Sequence, residues 1–266
     1  MEPHVQAFWL AKLGNAADEY EDAFAYSLTS RRFAIADGAT ESSFADRWAQ
    51  GLVKQFASAP PAQPKELKEW LAPLQKEWSA GIDWENLPWF AEEKAKTGAF
   101  STFLGLTFAE EEPPRKNGLL GRTWFFRKQE KPVLKWHAMS VGDTCLFQIR
   151  NAQLIHSFPM DNSEQFNSRP VLLSSNAEHN TGVWEGIRTD EGECQPDDLF
   201  VLATDAVAKW FLERHQSGEK PWEILNTLQT PREFEDLIGK LREEKSIRND
   251  DATIVLFTWK KPDKET

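Results

Sequence analysis

The sequence predicts an α+β layered domain. Strand-like runs come first, then a stretch of helical period, then more strands, more helices and a closing strand. Helices are therefore grouped, not alternated one by one with strands as in a doubly wound parallel sheet. The 266 residues are 40 % hydrophobic and 27 % charged, with 12 Trp and 18 Phe to fill a core. No fixed-period repeat and no separating linker divides the chain, so residues 1–266 are expected to form one domain.

Each element has a local reason. Val5 to Leu13 is apolar, with β-branched and aromatic residues, and reads as the first strand. Ala23 to Leu28 and Arg31 to Ala36 read as the next two, joined by a tight connection at Thr29-Ser30. From Phe44 the period changes, and Phe44, Trp48, Leu52, Val53 and Phe56 share one helical face. The run from Pro60 to Pro64 ends that helix. Leu67, Trp70, Leu71, Leu74 and Trp78 repeat the helical spacing, and Asp83 to Lys96 is expected to add a third, less regular helix. Phe100 to Phe108 returns to strand character. Residues 110–131 form a polar, charge-mixed excursion around a short strand, Thr123 to Arg127. Val133 to Val141, Thr144 to Ile149 and Gln153 to Ser157 read as consecutive antiparallel strands, with a turn at Asn151-Ala152. Asp161 to Asn180 is polar and irregular. Asp198 to Ala203 is a strand, and Val207, Trp210 and Phe211 open the helix after it. Pro221 to Leu228 and Pro231 to Glu244 are helices with proline in the first turn, and Ala252 to Trp259 closes the fold.

Composition excludes several classes of function. Lys plus Arg number 31 against 42 Asp plus Glu, a net charge of -11 that disfavours nucleic acid and anionic membranes as main partners. The two cysteines, Cys145 and Cys194, make neither a disulfide framework nor a zinc site. No basic-then-apolar leader follows Met1, and no apolar run approaches the ~18 residues of a membrane span. The expected setting is the cytoplasm. The sequence contains no phosphate-binding glycine loop, no Gly-x-Ser-x-Gly elbow and no Cys-x-x-Cys pair. Basic residues among 115–128 interleave with Trp124, Phe125 and Phe126, a pattern that fits a solvated hairpin or a docking loop.

Chemistry concentrates in short acidic stretches beside the strands: Glu21-Asp22, Asp37-Gly38, Asp205-Ala206 and Asp250-Asp251. Carboxylates are costly to gather unless cations neutralise them, so acids that converge from distant segments point to a divalent-metal site with oxygen ligands. Each also has a plain structural role open to it. Asp37-Gly38, Asp143 and Asp250-Asp251 fit turns, Asp205 fits a helix cap, and Glu21 and Asp22 fit solvated hairpin charges.

Taken in order, these stretches resemble the metal-dependent Ser/Thr protein phosphatases of the PPM class, also called PP2C. The resemblance lies in Tyr20-Glu21-Asp22-Ala23-Phe24, in Phe33 to Gly38 with its terminal Asp-Gly, and in Gly98-Ala99-Phe100-Ser101-Thr102. It continues in Ser140-Val141-Gly142-Asp143-Thr144, Leu202-Ala203-Thr204-Asp205 and Asp250-Asp251-Ala252-Thr253. The resemblance implies an α-β-β-α sandwich of two antiparallel sheets flanked by helices, with two Mn²⁺ or Mg²⁺ ions at one end. Asp37 would bridge the ions, joined on one by the Gly38 carbonyl and Glu21, while Asp205 and Asp250 hold the other. Asp22 would support the ligands from behind, and Asp143 would serve a weaker third position. The implied catalytic residues are Asp37, Asp205 and Asp250. The implied activity is hydrolysis of phosphoserine and phosphothreonine in proteins by a metal-bridging hydroxide, with no protein nucleophile. The implied partners are a phosphorylated protein and the Ser/Thr kinase that makes it, with the phosphatase itself a monomer.

Three positions depart from the family pattern. Ala17 stands where many members carry a phosphate-gripping Arg, Ala39 where a histidine proposed as leaving-group acid follows Asp-Gly, and Ala206 where the glycine after the fourth motif's Asp is usual. They keep two other readings in view. One is a non-catalytic phosphoprotein-binding or regulatory module on the same fold, and the other is a phosphatase of small phosphoesters.

Overall fold

A computed structural model describes residues 2–111, 133–167 and 169–260. Twelve strands and six α-helices are assigned among them. The strands are β1 (Glu2–Leu10), β2 (Ala23–Ser27), β3 (Arg32–Ala36), β4 (Phe100–Ser101), β5 (Phe103–Glu111) and β6 (Val133–Val141). They continue with β7 (Cys145–Arg150), β8 (Gln153–Phe158), β9 (Leu173–Ser174), β10 (Arg188–Cys194), β11 (Leu199–Ala203) and β12 (Ala252–Lys260). The helices are α1 (Ala45–Ser58), α2 (Leu67–Ala80), α3 (Trp89–Thr97), α4 (Asp205–Gln216), α5 (Pro221–Leu225) and α6 (Pro231–Glu243).

Two five-stranded antiparallel sheets form the centre, ordered β1-β12-β11-β7-β8 and β10-β6-β5-β3-β2, and β4 pairs with β9 beside them. The inner faces of the two sheets meet in an aromatic core. Phe33 stacks on Phe257 with ring centroids 4.0 Å apart, Phe257 stacks on Phe200 at 5.2 Å, and Phe108 meets both Phe200 and Phe257 edge-on. Outside, α4 to α6 bury Phe211, Trp222, Phe234 and Ile238 against the first sheet. Helices α1 and α2 bury Trp48, Leu52, Phe56 and Leu71 against the second. This is the expected α-β-β-α arrangement, driven by one apolar stripe per helix and two apolar faces per sheet.

The elements differ from the sequence reading in places where tertiary partners decide. Pairing of Glu2 with Lys260 and of Leu10 with Ala252 fixes β1 about three residues earlier than its apolar pattern suggested. The third helix starts only at Trp89, after Pro88; proline disfavours α conformation in the residue before it. The run Phe100 to Phe108 breaks at Thr102, whose N–H donates to the Asp37 carbonyl. Strand β10 had no signal, because Arg188–Cys194 is polar and mostly exposed and is held by its register against β6. The expected strand Thr123 to Arg127 and the basic-aromatic positions around it lie outside the described residues.

Candidate metal centre

Strand registers bring the acidic stretches to one end of the sandwich. In the second sheet Ala23 pairs with Ala36, Ile35 with Leu104 and Phe103 with Val141. The start of β2, the end of β3, the start of β5 and the end of β6 therefore share an edge. In the first sheet Leu10 pairs with Ala252, and Ala203 pairs with both Ile254 and Cys145. Glu21-Asp22, Asp37, Asp143, Asp205 and Asp250 all project from that end.

Asp37 forms the centre. Its backbone is fixed against the β4–β5 junction, where Thr102 N–H and Ser101 Oγ both donate to its carbonyl at 2.9 and 2.8 Å. The next residue must be glycine for lack of space: a Cβ on Gly38 would lie 2.6 Å from the Glu21 carbonyl oxygen and 3.1 Å from Ala45. Close backbone approach, not a special φ, accounts for the Asp-Gly pair. The Asp37 carboxyl is pushed well up, first by desolvation and then by Asp22, Asp205, Asp143 and Asp250. Those five carboxylates thus share one electrostatic field.

Asp22 is buried, and its oxygens are used unequally. Oδ2 accepts from Thr204 Oγ1 at 3.0 Å and from Thr253 Oγ1 at 2.7 Å. With its proton given to Asp22, Thr253 Oγ1 accepts in turn from the Tyr20 hydroxyl at 2.5 Å. Oδ1 has no hydrogen-bond partner. Burial raises the Asp22 carboxyl well above its ordinary value while the two threonines pull the other way. Asp143 is similar: it is buried, its Oδ1 is unpartnered, and desolvation followed by Asp205 raises it to about 7.

Asp205 sits in the first turn of α4, with Thr204 as the capping residue, so capping does not account for it. Burial and then Asp250 raise its carboxyl. Arg248 Nη1 lies 3.2 Å from Asp205 Oδ2 and 3.5 Å from Asp250 Oδ2. The neighbouring Asp251 has a structural role, accepting from Lys12 N–H at 2.8 Å and Glu21 N–H at 2.7 Å. The Glu21 side chain has Thr40 and Lys12 as its neighbours, and burial raises its carboxyl. Lys12 Nζ lies 3.7 Å from it, and the charges acting most on it are Lys12, Asp251 and Asp46.

The structure therefore brings Asp22, Asp37, Asp143, Asp205 and Asp250 into one cleft, with the Gly38 backbone against them, and leaves the Glu21 carboxylate at the rim. Among the described residues, no three Asp, Glu, His or Cys side chains are drawn close enough to form a finished ligand set. Sequence reasoning assigned no role to Thr204, Thr253 or Tyr20, which hold Asp22, or to Lys12 and Arg248, the cations at the rim. The only signal for the two threonines was their place inside the acidic motifs.

No protein-family model matches the sequence, and no curated protein matches it. Solved structures match along the whole length. A Mycobacterium tuberculosis serine/threonine phosphatase, PstP/Ppp, superposes with a TM-score of 0.61 at 14 % identity, covering 98 % of this chain and 100 % of that one. The PstP catalytic domain in complex with two manganese ions gives 0.58 at 13 %, covering 97 % and 98 %. Stp1, a Staphylococcus aureus serine/threonine phosphatase, gives 0.58 at 12 %, covering 98 % and 96 %. The chain has the PP2C-type fold of these Ser/Thr phosphatases, and the acidic cleft lies at one end of its sandwich.

Proposed function

We propose that the protein is a metal-dependent phosphatase of phosphoserine and phosphothreonine in proteins. The observation that carries this reading is the gathering of five mutually repelling carboxylates at one end of a PP2C-type fold, two with buried oxygens that nothing satisfies. An unpaired buried carboxylate oxygen is costly in a stable protein. An all-oxygen, multiply anionic set suits Mn²⁺ or Mg²⁺, so the residues present fit such ions. The Gly38 carbonyl would hold one ion, with Glu21 reaching it through water from the rim, and Asp205 and Asp250 the other, with Asp37 between them, Asp143 at a further position and Asp22 behind. Ions bound there would supply Lewis-acid polarisation of water and of the phosphoryl oxygens.

The chain's own residues would orient and neutralise. Thr204 and Thr253 fix Asp22 so that Oδ1 stays free. Asp251 ties Lys12 and Glu21 to the start of β12. Lys12 and Arg248 supply the positive charge at the rim that Ala17 does not. Ala39 offers no proton to the departing serine or threonine oxygen, so that proton would come from water. No helix among the described residues is long and apolar enough to cross a membrane. A phosphoprotein made by a Ser/Thr kinase, met in the cytoplasm, is the substrate this reading names.

The test is phosphate release from a phosphothreonine peptide with and without Mn²⁺, using wild type and Asp205→Asn. The expected result is Mn²⁺-dependent release that falls at least ~10²-fold in the variant without unfolding it. Peptide binding without release, across peptides and metals, would shift the assignment to the non-catalytic module. Equal rates on small esters and phosphoproteins would shift it to a small-ester phosphatase.

A further inference from the structure

A small cavity of about 180 Å³ opens beside Asp205, on the α4 side of the acidic cleft. Trp210 and Ile247 give it an apolar lining, and Lys209, Lys245 and Arg248 bring three cations to it, against Asp205 and Glu213. In a chain of net charge -11 such a grouping stands out. Lys209 is 3.8 Å from Glu213, and Arg248 is shared between Asp205 and Asp250. Lys245 makes no side-chain hydrogen bond or ion pair with any described residue. It also follows the end of α6 in the left-handed conformation, with φ 57, where its N–H donates to the Arg242 carbonyl. Glycine takes that position at lower cost, yet a lysine is found there.

The cavity's three cations against two acids suit an anion. Arg248 now has Asp205 and Asp250 as its counter-charges. Once a divalent cation occupies those two carboxylates, the guanidinium is left without a counter-charge, next to an unpaired lysine. The volume accommodates a carboxylate or a phosphate group with a few waters, but not a large side chain. Asp205 belongs to both the cleft and the cavity, so a peptide whose phosphorylated residue lies in the cleft brings a neighbouring side chain to the cavity.

We propose that this cavity is a subsite for a second anionic side chain, carboxylate or phosphorylated, close in sequence to the phosphoserine or phosphothreonine of the substrate. The subsite rests on the phosphatase reading for the ion that would free Arg248 and for what occupies the cleft beside it. The cations attract the anion mainly by charge, which selects among peptides more than it adds raw affinity.

The test uses peptides in which a difluoromethylene phosphonate replaces phosphothreonine, so binding is read without turnover. Within three residues on either side they carry Ala, Glu or phosphoserine. Dissociation constants are measured by fluorescence anisotropy with Mn²⁺ present. Wild type should bind the Glu peptides about fivefold to tenfold tighter than the Ala peptide, and the phosphoserine arm shows which anion is preferred. Lys245→Gly, which relieves the left-handed residue, should lower that ratio about threefold, and Lys245→Glu should bring it to about one or invert it. Lys54→Gln, on α1 in the other helical layer, should keep the wild-type ratio. A ratio of one in the wild type, or one unchanged in both Lys245 variants, overturns the proposal. Phosphate release from the matching phosphothreonine peptides with Mn²⁺ is measured alongside. No hydrolysis together with an intact, Lys245-dependent peptide preference removes the phosphatase reading and leaves the subsite standing.

Discussion

Gly105→Ala tests whether α1 is seated on the second sheet as described. A Cβ at this position would lie 2.4 Å from both Cε2 and Cζ of Phe56 and 2.8 Å from Cδ2. Carbon atoms in contact normally stand ~3.5–4.0 Å apart, so the ring would have to retreat by about 1 Å. Phe103 and Trp70 meet it edge-on at 5.4 and 6.4 Å, so it can give way only toward the groove of about 450 Å³ that Phe56 and Gly105 both line. Overpacking costs about 1–3 kcal/mol, and two contacts this short beside a groove that can take part of the shift place the cost at about 2–2.5 kcal/mol. Alanine recovers roughly 0.5–1 kcal/mol of backbone entropy relative to glycine. The net loss is then about 1–2 kcal/mol, or a fall in Tm of about 2–8 °C for a chain of this size. Thermal and urea unfolding should both report it. In a double-mutant cycle Phe56→Leu, which lacks the offending ring atoms, should remove about 1–2 kcal/mol of the Gly105→Ala penalty. A Tm equal to or above wild type, or strict additivity in the cycle, would refute the packing argument.

Asp198 is buried and accepts from Arg150 at 2.8 and 2.7 Å, from Gln148 at 2.7 Å and from the Gln195 N–H at 2.8 Å. Asp198→Ala should cost about 3 kcal/mol, the low end for a broken buried pair because Arg150 keeps some water, and urea denaturation would measure it. Thr253→Val keeps the shape but removes the donor to Asp22 and the acceptor for Tyr20. It should cost about 1–3 kcal/mol and weaken Mn²⁺ binding in calorimetry, and unchanged Mn²⁺ affinity would count against the role given to Asp22. A carboxyl raised by folding keeps its proton longer than in the unfolded chain, so stability falls as pH climbs from the unfolded value toward the folded one. Asp143 alone, raised to about 7, predicts a loss of about 1.6 kcal/mol between pH 5.5 and 7 in metal-free protein, roughly 3–6 °C in Tm. Saturating Mn²⁺ should flatten that slope. A metal-free Tm that rises over this range would contradict the shared carboxylate field.

The gathering of the acids was legible in part because three of them adjoin runs buried on both faces: Phe33 to Ala36 precede Asp37, Leu199 to Ala203 precede Asp205, and Ala252 to Phe257 follow Asp250 and Asp251. Such runs read as strands whatever their neighbours. What holds the acids was not legible. Thr204 and Thr253 reach Asp22 across sequence separations of 182 and 231 residues, and no local pattern encodes such a meeting. Strand β10 was missed for a related reason, since Thr189, Glu191 and Glu193 are exposed and only their opposition to Met139, His137 and Lys135 makes them a strand. The orientation of Glu21 also depended on a distant residue, because Asp251 takes its N–H and Lys12 its side chain.

The clamp made by Asp251 bears on how the molecule reaches its native state. Asp251 joins the end of β1 to the start of β12, which are paired from Leu10 with Ala252 to Glu2 with Lys260. Contacts so distant in sequence carry a large loop-closure entropy and form slowly unless intervening structure shortens the loop. Asp22, with its partners on β12 and next to β11, has the same dependence. A chain that has folded only its β2–β7 region therefore contains Asp37 and Asp143 but neither the support for Asp22 nor Asp205 and Asp250. On the proposed metal-dependent reading, ion binding would be a late event in folding, and tight Mn²⁺ uptake during refolding would mark the arrival of the closing strand.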